Sequence, residues 1–167
     1  MAYTLNQINQ MTQEQFITAL GPTFEQTPEI AAQVWNYRPF TNLEELHHHL
    51  VKVLRSLSRD QQLTLIRAHP DLGARVAMAD ASVREQNQAG LTHLSPTAYH
   101  QLQDLNRIYQ KNFGFPFILA VAGHSQESVV ANIKQRITNS VEVEFNQALK
   151  EIENIAHLRL QRWISEF

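Results

Sequence analysis

The stretch Ser58-Arg59-Asp60-Gln61-Gln62-Leu63-Thr64-Leu65-Ile66-Arg67-Ala68-His69-Pro70-Asp71-Leu72-Gly73 decides the fold. Ser58 and Gln61 have the spacing of a capping box, in which each side chain meets the other residue's backbone N–H. The apolar Leu63, Leu65 and Ile66 follow, and the pattern predicts a helix over 59–68. Pro70 has no backbone N–H and biases the residue before it away from helix. His69 is therefore expected at a helix exit, in extended backbone, held by the stiff ring after it. Gly73 permits a turn with positive φ. Two readings of His69 stand side by side. It is a helix stop whose ring caps carbonyls, or a proton-transfer group, because imidazole titrates near neutral pH.

The same punctuation recurs along the chain. Thr12 with Gln15, Asn42 with Glu45 and Ser82 with Glu85 repeat the box spacing. Thr27-Pro28 and Ser95-Pro96 place proline at a first helical position behind a good N-cap. Helices are expected near 13–20, 28–37, 43–56, 59–68, 82–90, 96–112, 125–137 and 140–164. No stretch alternates apolar and polar long enough to argue a strand, although the apolar run from Phe115 to Val121 leaves a short one open. No repeat, low-complexity run or linker is apparent. The expectation is one compact all-α domain of about eight helices over 1–167. The longest break in the first half runs from His69 to Ala81. Phe113-Gly114-Phe115-Pro116-Phe117 is a second break, whose aromatics should line a core or a pocket.

Composition narrows the function classes. The 167 residues are 43% hydrophobic and 18% charged, enough for a sizeable core. Fourteen basic against sixteen acidic side chains give a net charge of −2, with no basic cluster, so nucleic acid is not an expected partner. No apolar run approaches the roughly 20 residues that span a bilayer. Met1–Gln10 has no signal-like pattern and the final residues form no peroxisomal tail, so the expected compartment is the cytoplasm. The absence of cysteine excludes thiol catalysis, disulfides and Cys-ligated metals.

The last helix carries an anomaly. Phe145, Ala148, Ile152, Ile155, Arg159 and Trp163 follow three- and four-residue steps, which sets Arg159 on an apolar stripe. A buried guanidinium must be paired. It pairs with an internal carboxylate or snorkels to the rim, or else it forks onto a substrate carboxylate. Ser82-Val83-Arg84-Glu85-Gln86 is likewise double: a capping box, or a first helical turn whose Glu85 and Gln86 point into a cleft. Eight histidines invite a metal reading. Adjacent His47, His48 and His49 spread by about 100° each on a helix and cannot converge on one ion. His93, His100, His124 and His157 show no ligand-like spacing, so no metal site is expected. Phosphate loops and nucleophile elbows are absent.

Taken in order, several stretches resemble the 2-oxo-4-hydroxy-4-carboxy-5-ureidoimidazoline (OHCU) decarboxylase family. They are Arg67–Gly73, Ser82-x-x-Glu85-Gln86-x-x-Ala89-Gly90-Leu91, Phe113-Gly114-Phe115-Pro116-Phe117-Ile118 and Ile155-Ala156-His157-Leu158-Arg159-Leu160. Gly21-x-x-Phe24-Glu25-x-x-Pro28 and Arg38-Pro39-Phe40 also fit. Each motif alone is weak, and the ordered set is specific and runs nearly the whole chain. The resemblance implies an all-helical, homodimeric, cofactor-free lyase that converts OHCU, derived from urate, to (S)-allantoin and carbon dioxide.

It implies His69 as the catalytic acid/base, with Glu85 beside it in that role. It implies substrate contacts from Pro70, from the turn Ser82, Val83, Arg84, Glu85 and Gln86, from Arg159, and from the backbone of Phe117, Ile118, Leu119, Ala120 and Val121. The chemistry is compatible with that assignment. Loss of carbon dioxide leaves an electron pair that the substrate's own carbonyl and imine can hold, so the protein must orient, exclude water and return a proton. Two rivals remain at this level. A helical interaction module would expose a large apolar patch and tolerate loss of His69. A metal-dependent helical hydrolase would bind stoichiometric metal. Both leave Arg159 without a specific task.

Overall fold

Local caps set most of the helix ends. In the computed structural model, which describes residues 2–73 and 80–166, the order is β1 (Tyr3–Thr4), α1 (Leu5–Gln10), α2 (Gln13–Leu20), α3 (Glu29–Val34), α4 (Leu43–Ser56) and α5 (Arg59–Ala68). It continues with α6 (Asp80–Gln88), α7 (Pro96–Phe113), α8 (Gln126–Arg136), α9 (Val141–Trp163) and β2 (Ile164–Ser165). Single 3₁₀ turns follow α2 and α3, at Gly21–Thr23 and Trp35–Tyr37. The all-α expectation is met.

Thr12 and Gln15 cap each other reciprocally, as do Ser58 and Gln61. Asn42 accepts from the Glu45 N–H at 2.8 Å, but the Glu45 carboxylate bonds Thr41 instead of closing the box. These two bonds from Thr41 hold the Glu45 carboxyl below its ordinary pKa. Ser95 caps α7 with Pro96 at its first position.

The chain divides into two units whose boundaries fall inside α5 and α9. Unit 1 comprises residues 1–65 and 153–167. Its core is aliphatic and aromatic, with Ile8, Phe16, Leu20, Ile30, Leu46 and Leu50 all inaccessible to solvent. Arg38 ties its loops together: the guanidinium donates to the carbonyls of Asn9, Met11 and Trp35 at 2.8–2.9 Å and lies over the Trp35 ring. β1 and β2 pair in parallel, Tyr3 with Ile164 and Thr4 with Ser165, joining the two ends of the described chain.

Unit 2 comprises residues 66–152. Here Tyr109, Phe113, Phe115, Phe117 and Phe145 form a ring cluster with centroids 4.4–6.2 Å apart, mostly tilted or edge-to-face. The aromatics of the second break are thus core. The break itself is made by Gly114, which ends α7 in the left-handed region at φ 78°.

Four expectations need correction. Residues 5–10 form a helix, α1, that the polar composition hid. The 28–37 helix starts at Glu29 and tightens to a 3₁₀ turn after Val34, with Thr27 bonding the Glu25 carbonyl rather than capping. The 82–90 helix begins at Asp80, so Ser82 is its third residue and not its N-cap. A box match specifies two donors three residues apart; it does not show that no turn precedes them. On α9 the buried stripe passes through Ala156, whereas Ile155 is half-exposed. The middle of the expected His69–Ala81 loop, residues 74–79, lies outside the described residues.

Candidate active site

His69 follows directly on α5, with its N–H on the Ile66 carbonyl at 3.2 Å. The helix exit predicted by Pro70 is therefore in place. Three side chains from other segments of unit 2 hold the residues after it. Gln110 donates to the Asp71 carboxylate at 2.6 Å. Asn106, itself buried, donates to the Leu72 carbonyl at 3.0 Å. Gln86 accepts from the Gly73 N–H at 2.8 Å. Gly73 has φ +73°, and a Cβ there would stand 2.7 Å from Leu102 and 3.0 Å from Leu94. The positive φ favours glycine, and any Cβ would also have to displace these leucine methyl groups. Partial burial raises the Asp71 pKa, and the Gln110 bond only partly opposes this. A depression of about 580 Å³ beside Asp71 and Leu72 is floored by α7 residues; none of the sequence-predicted site residues lines it.

Helix α6 presents Ser82 and Gln86 to the interior, one turn apart, with Glu85 half-buried beside them. Val83 and Arg84 lie on its exposed side. The helix closes with paired bonds, Leu91 N–H to Gln86 O at 2.9 Å and Gly90 N–H to Asn87 O at 3.0 Å, with Gly90 left-handed. This Schellman closure buries Leu91 and fixes the pitch of the turn that carries Gln86. Gln86 thus links α6 to the loop that follows His69 and Pro70.

The stretch Phe117–Val121 is neither helix nor strand, yet all of it except the half-buried Ala120 is buried. A buried irregular backbone must find partners outside a ladder. Arg136 Nη1 donates to the Ile118 carbonyl at 2.7 Å. The Ala120 N–H donates to Glu151 Oε2 at 2.9 Å, and the other oxygen of Glu151 accepts from Gln147. The His124 N–H closes on the Val121 carbonyl. Arg136 in turn bonds buried Glu144 at 2.8 Å and lies over the Phe117 ring at 4.4 Å. Glu144 also accepts from the Tyr109 hydroxyl at 2.6 Å and from Asn139 at 3.0 Å. Burial beside this carboxylate drives the Tyr109 pKa upward, so the hydroxyl remains a donor.

Arg159 belongs to unit 1. It is 2% exposed, and its guanidinium donates to the Pro22 and Thr23 carbonyls at 3.2 and 3.3 Å and to Glu25 at 3.1 Å. The burial expected from the stripe is observed, and so is pairing with an internal carboxylate. Sequence reasoning missed Arg136, Glu144, Glu151 and Asn106. For Arg136 the only local signal was a cation in the last turn of a helix, which ordinarily faces solvent.

The comparisons with known proteins agree with one another. A model of the family described as OHCU decarboxylase matches residues 9–161. The OHCU decarboxylase of Haloferax volcanii is 40% identical over 98% of both chains. That of Mus musculus is 39% identical over 92% of this chain and 88% of its own. A uric acid degradation bifunctional protein of Bacillus subtilis is 40% identical over 98% of this chain but only 33% of its own length. Among solved structures, an (S)-allantoin synthase superposes with a TM-score of 0.77 at 25% identity, covering 96% of this chain and 54% of that one. An OHCU decarboxylase crystallised in the presence of (S)-allantoin shares the fold, with a TM-score of 0.71 at 24% identity over 91% of this chain and 97% of its own. By its family-model match and its near-full-length similarity to named decarboxylases, this chain belongs to the OHCU decarboxylase family.

Proposed function

We propose that this protein is a carboxy-lyase that decarboxylates OHCU in urate degradation and delivers the product as (S)-allantoin. The observation that carries the reading is the 40% identity to an OHCU decarboxylase over 98% of both chains. In the reaction, the bond between the ring carbon and its carboxylate breaks. The electron pair stays on the substrate's conjugated carbonyl and imine, and carbon dioxide leaves. A proton then returns to one face of the neighbouring ring carbon, which bears the ureido group, while the hydroxyl-bearing carbon that lost the carboxylate becomes a carbonyl.

Each residue's role in this reading follows from its chemistry. His69 handles the proton. Its place directly after α5, on a loop anchored by Gln86, Asn106 and Gln110, supports a fixed direction of delivery. Ser82, Glu85 and Gln86 orient the ring's polar groups, with Pro70 against it. Glu85 also disfavours the ground-state carboxylate by like charge and shares the proton-transfer role. Val83 and Arg84, exposed on α6, complete the turn that contacts the substrate. The backbone of Phe117–Val121 meets the ring, and Arg159 answers the substrate's negative charge. The same reading takes the chain as a single domain that works as a homodimer in the cytoplasm.

The test uses OHCU prepared freshly by oxidation and hydrolysis of urate, followed by both rate and optical activity. The spontaneous reaction yields a racemate, so the protein is expected to accelerate the reaction and give one enantiomer. His69→Asn should lower the rate by roughly 10²–10⁴-fold and lose handedness. A wild-type protein with no acceleration ends the functional reading. A His69→Asn variant with unchanged rate and optical purity ends the assignment of His69 alone.

A further inference from the structure

Three potential metal ligands of unit 1 meet on two helices, and none of them is assigned to decarboxylation. Glu44 and His47 stand three residues apart on α4 and share a face. His157 reaches them from α9, more than a hundred residues later in the chain. The His47 and His157 rings meet edge-on with centroids 4.8 Å apart. His157 Nε2 is 3.6 Å from Glu44 Oε1. One ligand atom from each of the three lies within 4.8 Å of the others. His47 Nε2 also sits 2.9 Å from the Glu153 carbonyl, which fixes the plane of its ring. Ligating imidazoles commonly use their other nitrogen in this way. The Glu153 carboxylate is itself occupied by Arg55, so it does not compete for the cluster.

We propose that Glu44, His47 and His157 form a binding site for a divalent transition-metal ion of the zinc class. Two imidazole nitrogens and one carboxylate oxygen are the donors such ions take, with water in the fourth position. Tetrahedral ligands at about 2.0–2.1 Å from the ion stand roughly 3.4 Å apart. The Glu44–His157 pair is already near that spacing, so the remaining closure falls on His47 and on Glu44. The Glu44 side chain is 72% exposed and free to swing. The two rings are half-buried and pre-packed against each other, so little freedom is lost on ligation. An ion held there ties α4 to α9 within unit 1. Its role is to clamp the unit, and it takes no part in decarboxylation.

The experiment uses the full chain without a histidine tag, stripped by chelator and titrated with zinc chloride in a calorimeter. One equivalent is expected to bind. Glu44→Gln, at an exposed position that folding tolerates, and His157→Ala should each weaken binding about tenfold or more. His93→Ala, at an exposed histidine elsewhere, should leave it unchanged. Saturating zinc should raise the Tm of the parent by about 5 °C, and that of His157→Ala by little. Cobalt chloride should give the visible absorption bands of nitrogen-ligated, low-coordinate cobalt, and these should vanish in His157→Ala. The proposal is overturned by an absence of zinc binding to the parent. It is equally overturned by binding that survives both Glu44→Gln and His157→Ala, which would place the ion on other histidines.

Discussion

Two buried arginines, Arg159 in unit 1 and Arg136 in unit 2, meet carboxylates that are themselves buried, yet only one was legible in advance. Arg159 interrupts an apolar stripe on a helix of 23 residues, so its burial follows from periodicity. Arg136 sits in the last turn of α8, where a cation normally faces water and the helix dipole. The difference lies in what each holds. Arg159 bonds the Pro22 and Thr23 carbonyls and Glu25. Arg136 bonds Ile118 in the stretch assigned to the substrate ring and shares Glu144 with Tyr109 and Asn139. A buried arginine therefore does not identify a binding group by itself. In unit 2 the same chemistry builds a scaffold.

That comparison breaks first on stability. Arg136→Met leaves Glu144, which has no solvent exposure, without its cation, and should cost about 3–5 kcal/mol in urea unfolding. Adding Glu144→Gln should recover most of the loss. A single variant within about 1 kcal/mol of the parent would remove the scaffold role.

Arg159→Lys sharpens the other side. Lysine keeps a charge for Glu25 but loses the planar fork. Stability should fall modestly, while kcat/KM for OHCU should fall about tenfold or more, about 1.4 kcal/mol in the transition state. Equal, small losses in both measurements would make Arg159 a second scaffold arginine.

The smallest effect concerns Asp71. Its carboxyl titrates above the ordinary value, so the folded chain keeps that proton to higher pH than the unfolded chain does. The resulting penalty is absent below the ordinary carboxyl pKa of about 4. It grows as pH rises through the window up to the folded value, and persists at neutrality. Asp71→Asn can still accept from Gln110 but never ionises. It should be slightly more stable than the parent at pH 7, with that advantage shrinking in acid. Urea midpoints at pH 3 and pH 7 decide this; an advantage of the same size at both would show that Asp71 carries no such penalty.

What the sequence made legible was local. The bounds of α2, α4 and α5 follow from caps and apolar spacing within a few residues, and the helix exit at His69 follows from Pro70. Helix α1 was hidden because six mostly polar residues give too short a period to detect, although Thr4 and Gln7 form a capping box. The β1–β2 pair, the Arg136–Ile118 bond and the meeting of His47 with His157 all join segments distant along the chain. Spacing rules read one segment at a time and cannot reveal them. Ser82 shows the opposite failure, where a valid local pattern was overridden because the helix had begun two residues earlier.

Pro116–Val121 has a further consequence. It is a run of apolar residues in backbone that belongs to no ladder, the sort of segment that elsewhere recruits a second chain edge to edge. Here a guanidinium and a carboxylate occupy groups such an intruder would need, and the side chains are turned inward. The arrangement that steadies this loop also keeps an adhesive sequence out of circulation, so damage to Arg136 or Glu151 should be felt as a tendency to clump as well as a loss of shape.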